Sequence, residues 1–343
     1  MKTLLATILG SALLASCASL PPPATVISNS GTVAPSAPEG RVGSPAIWSG
    51  GMIREPGLAR EGFVAAAARS ESLIIHDLQG GIIQRVPGAP LTDLDVAALS
   101  LEDSYAVVIG GARRRSGRTG VALFRLDRGA DQRVRPWGEV GTDLAEPAGF
   151  CMRQWNGSLQ AVIVDRRGEA RQFTVTEGPS GEPALTETRR FRVAGAGQGC
   201  AIDPGGRIFF SHARQGFWAY PLDPAGSPTP VRMIAPAPRN VPRSTGVSFL
   251  NHDFRGYLAS LDQDGAGFSV WRARGQDLVW VGRFRVLDGP GGRPVRSLGG
   301  IDAYGGGLGA FDDGLVVVQD EANDGAPNLK FVDWSDVTAA LGL

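Results

Sequence analysis

The chain has 343 residues, with 34 basic and 34 acidic side chains and a formal net charge of +0. That balance argues against a general nucleic-acid or membrane-surface binder, which carries a basic excess. The 48 Gly and 24 Pro disfavour long helices and suit short strands joined by tight turns, while 43% hydrophobic residues supply a core and exclude wholesale disorder.

In chain order, the first predicted element is an export signal. Lys2 gives a positive start, and Leu4 to Leu14 form an apolar run too short for a permanent membrane span. The run ends in Leu14-Ala15-Ser16-Cys17, which resembles the lipobox of bacterial lipoproteins. The resemblance implies a signal peptide over residues 1–16, cleavage before Cys17 and acylation of that residue, so that membrane contact is through a lipid anchor only. An ordinary cleaved signal with an incidental Cys is the other reading. Ala18 rather than Asp after the Cys implies, by the same resemblance, an outer-membrane lipoprotein of the bacterial cell envelope, facing periplasm or exterior. Residues 17–40 are rich in Pro, Ser, Thr and Ala, carry almost no charge, and read as a tether. The folded body is expected to be 41–343.

The body repeats. Six strand–turn–strand units overlay at 62–78, 105–127, 160–175, 207–222, 256–272 and 314–334, each an apolar strand, a short turn and an alternating strand such as Val121-Ala122-Leu123-Phe124-Arg125-Leu126. Their starts lie roughly 45 to 60 residues apart, the period of a four-stranded propeller blade. The expectation is an all-β, single-domain, six-bladed β-propeller, whose closed ring removes exposed sheet edges. Cys151 and Cys200 lie one repeat apart, either as a disulfide or as two buried thiols.

Common catalytic signatures are missing. No CxxC or Cys/His metal spacing occurs, the three His are isolated, and there is no GxSxG. Gly305-Gly306-Gly307-Leu308-Gly309 lacks the strand-then-helix setting of a nucleotide loop. Asp262-Gln263-Asp264-Gly265 lacks the later ligands of a calcium loop and reads as a turn.

The C-terminal segments Gly300-Ile301-Asp302, Gly314-Leu315-Val316-Val317-Val318-Gln319-Asp320 and Asn328-Leu329-Lys330-Phe331-Val332-Asp333-Trp334 resemble the last blade of the β-propeller phytases. Further matching segments are Pro45-Ala46-Ile47-Trp48, Glu146-Pro147-Ala148-Gly149-Phe150-Cys151, Gly199-Cys200-Ala201 and Gly282-Arg283-Phe284-Arg285-Val286. The resemblance implies a six-bladed propeller that hydrolyses phosphate monoesters of inositol hexakisphosphate. It also implies calcium held by carboxylates at one channel end, with Lys and Arg binding the other phosphates. Metal-activated water and cationic clamps are what attack on a polyanion requires.

The departures from that family are one-sided. Gly43-Ser44 stand where the family has paired Asp, Ala148 where it has a Tyr, and Gln198 where it has a Glu. His212-Ala213-Arg214 replaces an acidic run, Thr245 replaces a Glu, and Gly299-Gly300-Ile301-Asp302 keeps only its second Asp. The remaining acids are Glu146 and Asp302 as candidate catalytic groups, and Asp95, Asp320 and Glu321 as candidate calcium ligands. The cations persist: Arg69, Arg113, Arg114 and Arg166 stand at the hairpin positions of the family's phosphate binders, and Arg214 is added, while Arg115 and Arg167 read as solvated turn residues. The expected function is binding of a phosphate-rich polyanion of the phytate type, with calcium-dependent hydrolysis impaired or lost. The alternatives are an active phytase and a protein-docking scaffold. Expected partners are accordingly a phosphorylated small molecule such as an inositol phosphate, or an envelope protein, and no nucleic acid.

Overall fold

The computed structural model describes residues 22–27, 42–50, 57–68, 73–127, 132–194, 197–212, 216–226, 232–236, 244–262, 266–297, 300–321 and 327–343. They form six sheets, antiparallel except for one added parallel strand, arranged as a β-propeller. The innermost strands of blades one to six are Val42–Trp48, Leu91–Ser100, Pro147–Trp155, Gly197–Ile202, Ser244–His252 and Ile301–Tyr304. Each touches its two neighbours, and the first touches the last, which closes the ring around a central channel. The six predicted strand–turn–strand units are the second and third strands of the six blades.

The local reasons are in the sequence. A second strand is covered on both faces by adjacent blades, so it reads as an unbroken apolar run rather than an alternating one. Phe63–Ala68 is buried at every position, and Ser158–Asp165 at every position after the first. Turn chemistry sets the register. Asn156 (φ 48) and Gly157 (φ 78) both take left-handed backbone between Trp155 and Ser158, the two-residue hairpin that matches strand twist. Ser116 (φ 51) and Gly117 (φ 79) do the same between Arg115 and Arg118.

Within the segment read as a tether, residues 22–27 are described. Ala24–Ile27 form a strand that pairs parallel with the outer strand of blade five, Asp277–Leu287, matching Ala24 to Phe284 and Ile27 to Leu287. The physical reason is β-branched Val26, 3% exposed, which fills a place beside Phe284 and Val286 in the blade-five core. The C-terminal helix Trp334–Leu341 packs on both strands, begins on an Asp333 cap that accepts from Ser335 N, and ends at Gly342 (φ 66). Cys151 of blade three and Cys200 of blade four are disulfide-bonded. The expected signal peptide and Cys17 lie outside the described residues. Among the described residues no helix is long and apolar enough to cross a membrane.

Candidate functional site

The inner strands of blades one to five each carry a register shift within their first residues, at the end where the hairpin between second and third strands also lies. This end is called the upper face. Just below it the channel narrows to a neck made of backbone. A Cβ on Gly149 would lie 2.8 Å from Gly199 Cα, and one on Gly199 (φ +82) would lie 2.8 Å from Gly246 Cα. Gly246 (φ +75) approaches Gly300, whose own Cβ would meet Ser44 Oγ at 2.6 Å. The Gly-apolar pairs Gly149-Phe150, Gly199-Cys200, Gly246-Val247 and Gly300-Ile301 thus mark where one blade's backbone abuts the next, a contact only Gly permits.

The inner strands line a cavity of about 480 Å³ in the channel. Each inner strand has one edge with no strand partner, so its channel-side N–H groups need another acceptor. Three carboxylates supply it. Asp93 Oδ2 accepts from Phe150 N at 2.9 Å and Asp95 Oδ2 from Met152 N at 2.7 Å, tying blade two to blade three. Their other oxygens accept from Leu94 N (3.1 Å) and Val96 N (2.7 Å), and Ser44 bonds the Asp93 side chain. Asp302 Oδ2 accepts from Ile47 N at 2.7 Å, and its Oδ1 accepts from Ser248 Oγ at 2.6 Å and Ala303 N at 2.9 Å. Asp302 therefore joins blade six to blades one and five.

Burial, opposed by these hydrogen bonds, pushes Asp93 and Asp302 up to about 6. Asp95 is pushed up to about 8, first by burial and then by the charges of Asp302 and Asp93. All three keep a partly accessible edge on the channel. Channel water therefore screens them more than their depth in the molecule implies. Arg153, on the lower half of the same wall, has its pKa lowered by burial.

The other predicted residues distribute as follows. Glu146 sits at the upper face against Arg166, with Oε1 3.2 Å from Arg166 Nε and side chains 47% and 62% exposed. Arg113 turns into blade two: Nη1 donates to Glu139 Oε2 at 2.8 Å, and the guanidinium lies 6.0 Å from the Phe124 ring centroid. Arg114, Arg115 and Arg167 are exposed on the upper hairpins. Asp320 is fully buried and bound through both oxygens to Arg293, at 3.2 and 2.7 Å, with Lys330 Nζ 3.9 Å away. Lys330 in turn donates to Asp288 at 2.6 Å, so two buried groups, Asp320 and Lys330, and two partly exposed ones, Arg293 and Asp288, form one cluster. Glu321 is half-buried beside Gln319. Arg69 and Arg214, and the side chains of Gln198 and Thr245, lie outside the described residues. The structure thus brings Asp95 and Asp302 together, adds Asp93, and leaves Glu146 with Arg166 above them and Asp320 apart. Asp93 was legible as the partner of Asp95 in a strand alternation, Asp93-Leu94-Asp95.

Calcium needs about six to eight oxygen ligands, several of them carboxylate. The channel carboxylates already serve N–H and O–H donors through both oxygens, and Asp320 is neutralised by Arg293. Among the described residues no three His, Cys, Asp or Glu side chains converge as metal ligands. The described donor set does not fit calcium.

A family model described as Phytase matches residues 2–343. A curated relative, the 3-phytase of Bacillus subtilis (strain 168), is 23% identical over 322 residues, covering 87% of this chain and 80% of its own. Solved structures with similar chains include BBS1N in its complex with ARL6DN (15% identity, 79% of this chain and 74% of that chain, TM-score 0.45). Another is the Cps50 (Swd1) β-propeller domain of Myceliophteria thermophila (10% identity, 86% of this chain and 97% of that chain, TM-score 0.45).

Proposed function

The chain belongs to the phytase family, and we propose that it binds phosphate-rich polyanions of the phytate type at its upper face, with calcium-dependent hydrolysis impaired or lost. One observation carries the reading. The acids at the channel mouth spend their oxygens on holding neighbouring blades together, while Arg114 and Arg166 project from adjacent hairpins of blades two and three. A guanidinium offers a planar fork to two phosphate oxygens and stays charged at any relevant pH. Arg113, committed to Glu139, is left out of the binding set, and Arg69 and Arg214 stay in it on their sequence positions alone. The 3-phytase relative supports a phosphorylated ligand over a protein partner. Glu146 tempers Arg166 by pairing with it, and a phosphate group would take over that cation. In this reading the protein is also held in the cell envelope by acyl chains on Cys17, a proposal supported by Leu14-Ala15-Ser16-Cys17.

Calorimetry with phytate, and phosphate release from phytate in millimolar calcium, test the reading. Binding without turnover is expected, with affinity about tenfold weaker or more in R114A/R166A. Turnover that disappears in EDTA would overturn the loss of hydrolysis and restore the active-phytase alternative. Unchanged affinity in the double variant would remove the named arginines. For the anchor, wild-type protein should fractionate with membranes and C17S should not; a soluble wild type would overturn it.

A further inference from the structure

Arg153 stands on the inner strand of blade three, below the glycine neck, and lines the channel cavity. Among the described residues its side chain makes one hydrogen bond, a long one from Nη1 to the carbonyl oxygen of Ile202 at 3.3 Å. Among the described residues it has no ion-pair partner. Asp203 and Asp95 act on it only through their charges. Asp203 is already bound to Arg207 at 2.6 Å, and both Asp95 oxygens accept backbone N–H groups. A guanidinium has five donors in a rigid fork. The remaining Arg153 donors are not sealed in protein, since none is among the buried polar atoms that lack a partner. A cation drawn from bulk water without a carboxylate is costly unless something else satisfies it.

We infer that Arg153 makes the channel cavity a second anion site, which takes one phosphate-sized oxyanion below the neck and apart from the upper-face arginines. The fork of Arg153 receives two oxygens of the tetrahedral anion. Gln154 and Ser49 also line the cavity, whose volume of about 480 Å³ has ample room for such an ion. The three channel acids lie at the upper end of the same space. Burial favours their protonated forms, which reduces the repulsion an anion meets there.

Inorganic phosphate is the probe, titrated calorimetrically into R114A/R166A protein, where upper-face binding is weakened and the comparison with R153Q reports the channel. Binding of a single phosphate per chain is expected, and adding R153Q should weaken it about tenfold or more. Absence of phosphate binding in R114A/R166A, or binding that R153Q leaves unchanged, would overturn the site. Should the glutamine variant unfold, R153K keeps charge and most of the packing but not the fork; a weakening of about threefold is expected, and equal affinity would overturn the proposal. Phytate affinity is scored separately in the same proteins, so this inference and the upper-face reading can each fall alone.

Discussion

Replacing Asp95 by Asn should change the protein's stability in opposite directions at acid and alkaline pH. In the folded state burial and the charge of Asp302 hold the Asp95 carboxyl at about 8, against an ordinary value of 3.8. Between those values the folded protein keeps a proton that the unfolded chain has released, so wild-type stability falls as pH rises through the window. For an isolated group, the loss between about pH 5 and about pH 8.5 would be about 4 kcal/mol. Channel water, and the coupling of Asp95 to Asp302, Asp93 and the nearby Arg153, roughly halve that to about 2 kcal/mol. Asparagine has no such slope, but its amide nitrogen cannot accept from either Met152 N or Val96 N, a loss of about 1 kcal/mol at every pH. The variant should therefore melt below wild type at about pH 5 and at or above it at about pH 8.5. The melting temperature of the variant relative to wild type should rise by about 3 °C across the interval. Thermal unfolding of both proteins in matched buffers reads this directly. A difference between them that does not vary with pH would refute a raised Asp95 pKa.

The remaining predictions concern how blades are joined. Gly149→Ala puts a methyl 2.8 Å from the Gly199 backbone, and the neck can give way only by moving blade three from blade four. A cost of about 1–3 kcal/mol is expected, read as a lower melting temperature, and an unchanged transition would refute the backbone-to-backbone neck. Removing the disulfide with C151A/C200A frees a loop of 49 residues' separation; the chain-entropy argument puts the loss at about 4 kcal/mol, or about 6 °C in melting temperature.

The sequence made the blades legible and left their joints hidden. Second and third strands were readable because both faces are covered, so strands such as Phe63–Ala68 had to be apolar throughout. Inner strands were harder: Gly197–Ile202 reads Gly-Gln-Gly-Cys-Ala-Ile, since a strand that borders a channel and a backbone contact needs glycine more than apolar alternation. Ala24–Ile27 was unreadable because its partner lies about 260 residues away and its four residues sit in low-complexity surroundings. Asp95 and Asp302 stood out as surviving acids, yet their acceptor roles depend on backbone N–H groups of other blades, as Ile47 does for Asp302 at 255 residues' distance. Strand alternation put Arg113 and Arg114 on opposite faces, and Glu139 on Val134–Thr142 decided which of them turns inward.

Asp302 carries a structural duty at the seam of the ring. A propeller ring needs a bond between its last blade and its first, and here the early strand Ala24–Ile27 is spent on blade five rather than on blade six. Closure rests instead on the apolar cluster that joins Ile47, Val64 and Leu78 to Leu315, Val317 and Phe331, and on the bond from Ile47 N to Asp302. The same carboxylate takes the Ser248 hydroxyl from blade five. Displacing Asp302 toward a cation would free the Ile47 N–H at the seam of the ring, at a cost of about 1–3 kcal/mol for the orphaned donor. The acid that most resembles a retained catalytic group is thus the one the fold can least release.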